Sequence, residues 1–224
     1  MCEHMFASTP ERTARAAALA TAIRPTTPAG TRLLPVADPL CALFPDGALR
    51  RGATVVVAGS PGRGATSLGL ALLAAASVTG HWSAVVGLDD PGVVAMAELG
   101  VELRRVVFVP RPRGAWAVAT AELLEGVDVV LVRPPARVAH TAARQLLARA
   151  RDRGVVLAVL VEHRDDWPIP SDVILELTDA AWHAAGRLVA RRVEVRATGR
   201  RVVGRPLRAS LWLPDAQGTV TGAG

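Results

Sequence analysis

The 224-residue chain contains no lysine; all 26 of its basic residues are arginine. An ordinary phosphate-binding loop meets the β and γ phosphates with a lysine, so this absence excludes such a loop before any motif is located. Arginine's planar fork suits carboxylates and phosphates, although a GC-rich genome produces the same bias. Cysteine is nearly absent as well. Cys2 and Cys41 alone provide no disulfide framework and no thiolate metal site. The five histidines do not pair at ligand spacing, which excludes a histidine zinc site, and no metal is expected. The longest largely apolar run, Leu68 to Val78, is too short to cross a bilayer. The first residues, MCEHMFASTPER, lack the basic-then-apolar order of a signal peptide, so a cytoplasmic location is expected. A net charge of +6 permits contact with nucleic acid without requiring it.

What is present centres on residues 59–66, GSPGRGAT. The pattern G-x-x-x-x-G-K-[ST] is kept at Gly59, Gly64 and Thr66, with Ala65 in the lysine position. The run TVVVA at 54–58 reads as a buried strand before the loop, and Thr66 onward reads as a helix after it. A second strand, VDVVLVR at 127–133, ends in Arg133 where a magnesium-holding acid would be needed. A fixed positive charge there repels the metal. A hydrogen bond to a charged group contributes about 1.5–3 kcal/mol, so loss of the lysine alone weakens nucleotide binding by about one to two orders of magnitude. Together the two replacements point to a pseudo-ATPase with no catalytic residues and no cofactor, keeping only the remnants Gly59, Gly64, Ala65 and Thr66 beside Arg133. Asp89 and Asp90 follow the next strand. They read either as a remnant base or, for Asp90, as the cap of a helix opened by Pro91. Arg63 and Arg133 both fall near the vacant lysine position, to meet a phosphate or to pair with Asp89.

Strands are expected at 53–58, 83–88, 106–109, 127–132, 155–161, 172–178, 188–196 and 206–213. Helices are expected at 66–79, 92–99, 114–125 and 140–153. Their alternation predicts an α/β fold with a mainly parallel, twisted sheet flanked by helices. The last two strands form an antiparallel edge hairpin through Gly199 and Gly204. Residues 1–30 read as an N-terminal amphipathic helical arm and linker, 31–213 as the core domain, and 214–224 as a disordered tail. In the arm, Ala16, Leu19, Ala20 and Ile23 form one apolar stripe that either folds back on the domain or docks on a partner.

The order of GALRRG (47–52), GSPGRGATS (59–67), LDDPG (88–92), AELGV (97–101) and VDVVLV (127–132) resembles the RecA core. The segment ARAAALATAIR (14–24) is similar to the RecA N-terminal helix. The likeness covers about residues 12–213, and it rests on the order of motifs that are individually degenerate. The stretches after Arg133 and at 163–171 leave little room for RecA's DNA-binding loops, and RecA's large C-terminal domain is absent. A shortened, lysine-free chain of this kind resembles the ImuA family, in particular its actinobacterial ImuA′ branch. That resemblance implies a part in DNA-damage-induced, error-prone translesion synthesis. The implied partners are ImuB, a catalytically dead Y-family-like polymerase, and through it a DnaE-type polymerase. It also implies partner binding, and possible self-association, through the stripe Ala16, Leu19, Ala20 and Ile23 with Arg12 and Arg15 at its edge.

Two other readings stay open. A SulA-like division inhibitor that binds FtsZ has a similar degenerate core. A residual nucleotide- or DNA-binding protein would use Arg192, Arg196, Arg200 and Arg201 on the C-terminal hairpin. Against the latter, charge along an edge strand is also a common defence against edge-to-edge pairing. Among five scattered tryptophans, Trp167 in DDWPIP is the candidate for partner contact.

Overall fold

A computed structural model describes residues 32–135 and 138–224. Two short strands, β1 (Leu33–Leu34) and β2 (Leu49–Arg50), pair antiparallel and lead into the main sheet. The chain then alternates β3 (Thr54–Ala58), α1 (Ala65–Val78), β4 (Ser83–Val86), α2 (Val93–Glu98), β5 (Val106–Val109), α3 (Trp116–Leu123), β6 (Val129–Val132), α4 (His140–Arg153) and β7 (Val156–Val161). It closes with β8 (Val173–Ala184), β9 (Leu188–Thr198), β10 (Leu207–Trp212) and β11 (Thr221–Gly222).

The described residues form a nine-stranded mixed sheet in the order β11-β10-β9-β8-β3-β7-β6-β4-β5. The six strands from β8 to β5 run parallel, and β9, β10 and β11 extend that sheet antiparallel. A parallel sheet needs both faces covered, and the sequence meets that need with unbroken apolar strands. Val55 and Val57 of β3, Val129 and Leu131 of β6, and Ala158 of β7 point to one core with α1. Their alternates Val56, Ala58, Val130, Val132 and Val159 point to the other core, under α3 and α4. The helix α1 is buried on nearly every side, with Leu68, Leu70, Leu72 and Leu73 all at most 2% exposed, as its apolar run demands. By contrast α4 buries only Ala143, Leu146 and Ala150, a single stripe at i, i+3 and i+7. Among the described residues no helix is long and apolar enough to cross a membrane.

The expected alternation and parallel sheet are present, with three corrections. First, β8 continues to Ala184 instead of stopping near 178, and it pairs with β9 as far as Ala184↔Leu188. Beyond Leu177 every residue of β8 except Ala180 is exposed, so the alternation that reveals a strand disappears from β8. Second, the hairpin of β9 and β10 is not the sheet edge, because β11 adds to β10 through Leu211↔Gly222 and Trp212↔Thr221. Third, residues 214–224, read as a disordered tail, carry that strand. Asp215 accepts hydrogen bonds from the Gln217 and Thr219 amides and from the Thr219 hydroxyl, and Val220 is buried. Burial acts to raise the Asp215 pKa, but hydrogen bonds from Thr219, Gln217 and Thr221 outweigh it and hold the carboxyl below its ordinary value. The arm residues Arg12, Arg15, Ala16, Leu19, Ala20 and Ile23 lie outside the described residues.

Candidate functional site

The loop between β3 and α1 stands at the carboxyl ends of the parallel strands, where ligands bind in open α/β sheets. It opens as Gly59 donates its amide to the Val161 carbonyl at 3.2 Å. A Cβ at Gly59 would lie 3.1 Å from the Ala65 side chain, which explains the small residues at both positions. Gly64 caps α1 with φ +104°, and no side chain caps the helix. The first amides of α1 have no intrahelical partner, as at any helix start, and Ala65, Thr66 and Ser67 line the cleft beside the loop. Beside them a cleft of about 550 Å³ opens between the loop, Arg133, Glu162, His163 and Arg191, within the size range of small-molecule sites.

Of the predicted remnants, Gly59, Gly64, Ala65, Thr66 and Arg133 all line this cleft. Arg133 leaves the end of β6 and donates from its guanidinium to the Thr66 hydroxyl at 2.8 Å. Partial burial lowers its pKa and the nearby Glu162 acts to raise it. The residues do not fit a magnesium ion. The threonine oxygen that would coordinate it already accepts a hydrogen bond from a cation, and the strand-end acid is that cation. Arg133 does not pair with Asp89, which meets Arg111 at 3.3 Å on the surface, with both side chains more than 60% exposed. Asp90 does not cap the following helix either. It accepts the Gly92 amide at 3.0 Å, and Gly92 takes the cap position with φ +66°. The glycine's left-handed backbone displaces the helix start to Val93, past the Pro91 that the sequence suggests.

Arg191 is the site residue that the sequence reading missed. It comes from β9, is only 6% exposed, and reaches across to the loop. Its Nε donates to the Leu213 carbonyl at 2.8 Å, one terminal nitrogen to the Gly62 carbonyl at 3.3 Å and the other to the Ser67 hydroxyl at 2.8 Å. The guanidinium stacks on Trp182, 4.9 Å from the ring centroid. It also stands 2.8 Å from where a Cβ at Gly64 would lie, so a larger residue there would have to displace the guanidinium as well as strain a backbone at φ +104°. Burial alone lowers the Arg191 pKa, with no carboxylate opposing it. One signal for it was available. Arg191 shares the inward face of β9 with the buried Val193, Val195 and Ala197, and a charge on an apolar face requires a reason.

The arginines proposed for DNA contact are matched within the chain. Arg196 meets Glu176 at 2.9 Å, Arg200 meets Asp172 at 2.9 Å, Arg201 meets Asp46 at 3.4 Å and Arg192 meets Glu194 at 3.4 Å. Trp167 is 4% exposed and packs with Ile169 in the core under α3 and α4, which removes it as a surface for a partner.

Two comparisons with known proteins bear on this site. A family model described as the MT3502 N-terminal domain matches residues 42–169. The matched segment contains the loop, Arg133 and Glu162, and ends before β8 and Arg191. The uncharacterized protein Rv3395c of Mycobacterium tuberculosis is 38% identical over 97 residues, covering 43% of this chain and 48% of that relative. The chain thus spans about half the length of the curated relative it matches.

Proposed function

Since the chain belongs to the MT3502 N-terminal domain family, and its matched segment carries the altered loop, we propose that it is a non-catalytic, RecA-like adaptor of an error-prone translesion DNA synthesis complex. The observation that carries the non-catalytic part is the 2.8 Å bond from Arg133 to the Thr66 hydroxyl. Phosphoryl transfer in such loops relies on a lysine and a metal to neutralise developing charge. Here Ala65 offers no cation, and Arg133 fills the metal's place. The RecA-like reading is supported by the loop strand β3, which lies inside the sheet between β7 and β8, and by the antiparallel extension at one side. The proposed partner is an ImuB-type Y-family-like protein, and through it a DnaE-type polymerase, in the cytoplasm. The partner surface includes the arm residues Arg12, Arg15, Ala16, Leu19, Ala20 and Ile23, together with surfaces of the sheet domain.

The test pairs two measurements on the full chain. Leu19→Asp with Ile23→Asp is expected to abolish capture of an ImuB-type protein while the circular dichroism spectrum stays unchanged. ATP turnover with magnesium is expected to stay at background. Unchanged capture by the folded variant would remove the arm from the proposal. Turnover that Thr66→Ala eliminates would end the non-catalytic reading.

A further inference from the structure

Among the described residues, the buried cation of the loop cleft, Arg191, forms no ion pair with a carboxylate. A guanidinium carries five N–H donors, and Arg191 spends three of them on neutral oxygens of Leu213, Gly62 and Ser67. A charge taken out of water is ordinarily paired. At the other end of the sheet Arg51 keeps that rule, meeting Asp128 at 2.8 Å. Among the described residues two carboxylates line the cleft, Glu162 and Asp166, and neither forms an ion pair with Arg191. Glu162 acts on Arg133, and Asp166 turns one carboxylate oxygen to the His163 amide at 2.9 Å. Beside Arg191 lie the uncapped amides at the start of α1, a helix of 14 residues, which themselves favour an anion. Arg133 stands across the cleft with only one of its donors bonded, to Thr66.

We propose that this cleft binds the terminal phosphate of a small polyphosphate ligand without a divalent metal. Arg191 supplies the charge from the antiparallel side of the sheet, Arg133 clamps from the end of β6, and the first amides of α1 close the cradle. The cation that a phosphate-binding loop usually carries on its own helix arrives instead from a strand more than a hundred residues later. A metal would have no role, because two guanidinium groups already provide charge in the fork geometry that phosphate oxygens accept. The cleft of about 550 Å³ has room for more than the phosphates. Nothing in this assignment depends on the polymerase partner, and binding without hydrolysis leaves the non-catalytic reading intact.

The probes are ADP and pyrophosphate, each titrated into the full chain in excess EDTA. Binding is followed by calorimetry and by the tryptophan fluorescence of Trp182, which stacks on Arg191. Saturable binding is expected without metal, and Arg133→Met and Arg191→Met are each expected to weaken it by about ten- to a hundredfold. If Arg191→Met fails to fold, Arg191→Lys keeps the charge but loses the fork, and the half-exposed Arg133→Met carries the test alone. Equal affinity for both probes supports recognition through phosphate only, and tighter ADP supports a nucleotide as the source. The proposal is overturned if neither probe binds at millimolar concentration, if binding requires magnesium, or if the folded arginine variants bind as well as the parent.

Discussion

At the amino ends of the parallel strands, Arg51 meets Asp128 at 2.8 Å. Asp128 is 1% exposed and also accepts the Trp82 amide at 3.0 Å, with His81 at 3.4 Å. At the carboxyl ends of the same strands Arg191 is more deeply buried than Arg51, yet among the described residues its hydrogen bonds go only to carbonyls and a hydroxyl. The first arrangement is compensated in charge within the chain: a carboxylate meets the guanidinium, and the cluster ties β4, β6 and the turn after β2 together. The second is complete geometrically and incomplete electrostatically. A fold can hold an uncompensated charge only where surrounding hydrogen bonds cover part of its desolvation, and such places are disproportionately functional. The difference separates a structural end of the sheet from a recognition end, although both are built from arginine.

Substitutions can break this contrast. The largest effect is expected for Asp128→Ala, which strands Arg51 in the interior and costs about 3–5 kcal/mol in urea unfolding. The paired change of Arg51→Met with Asp128→Leu should recover much of that loss. Next comes Gly64→Ala, which meets both a left-handed backbone and the Arg191 guanidinium at 2.8 Å, and should cost about 2–3 kcal/mol. Gly62→Ala has a similar φ of +80° but open space around it, so it should cost about 1 kcal/mol. The gap between the two combines the displaced Arg191 guanidinium with the larger φ at Gly64, and repeating both changes in the Arg191→Met background separates them. Arg191→Met should cost only about 1–2 kcal/mol, because removing an uncompensated charge offsets part of the lost hydrogen bonding. A loss equal to that of Asp128→Ala would erase the distinction between the two ends.

The smallest effects belong to the exposed side of the antiparallel extension. Arg196→Met, which breaks a partly exposed pair with Glu176, should cost under about 1 kcal/mol and less at high salt. Asp215 has a folded pKa below its ordinary 3.8, so its contribution is present above that value and lost as pH falls through the folded pKa. Unfolding followed between pH 5 and pH 2 should show a slightly shallower loss for Asp215→Asn than for the parent.

The parallel half of the fold was legible because its strands are buried on both faces. TVVVA, VVLV and VLAVLV announce themselves as uninterrupted apolar runs, and Gly154 closes α4 with φ +66°, as its position suggests. The loop was legible from its glycines and from Thr66, and Arg133 lies beside them, bonded to the Thr66 hydroxyl. Arg191 was not found, because charge in LVARRVEVR was assigned to the outward residues Arg192 and Arg196, and the inward register of their neighbour was not weighed. The outer reach of β8, and β11 beyond β10, left no periodic trace. Their backbone pairing is satisfied by neighbouring strands, while most of their side chains are exposed.

The bond from Arg191 to Gly62 spans 129 residues, and this bears on the order in which the protein takes shape. The loop sequence emerges early in synthesis, at a stage when the strand that steadies it has not yet been made. Chain growth proceeds at about 5–20 residues per second, so the loop waits roughly 6 to 26 seconds for its guanidinium. The matched family segment, which stops at residue 169, ends while the loop is still unbraced. The final geometry of the recognition end is therefore a late event in this chain, set when β9 docks on β8 and not when the strand, loop and α1 first fold.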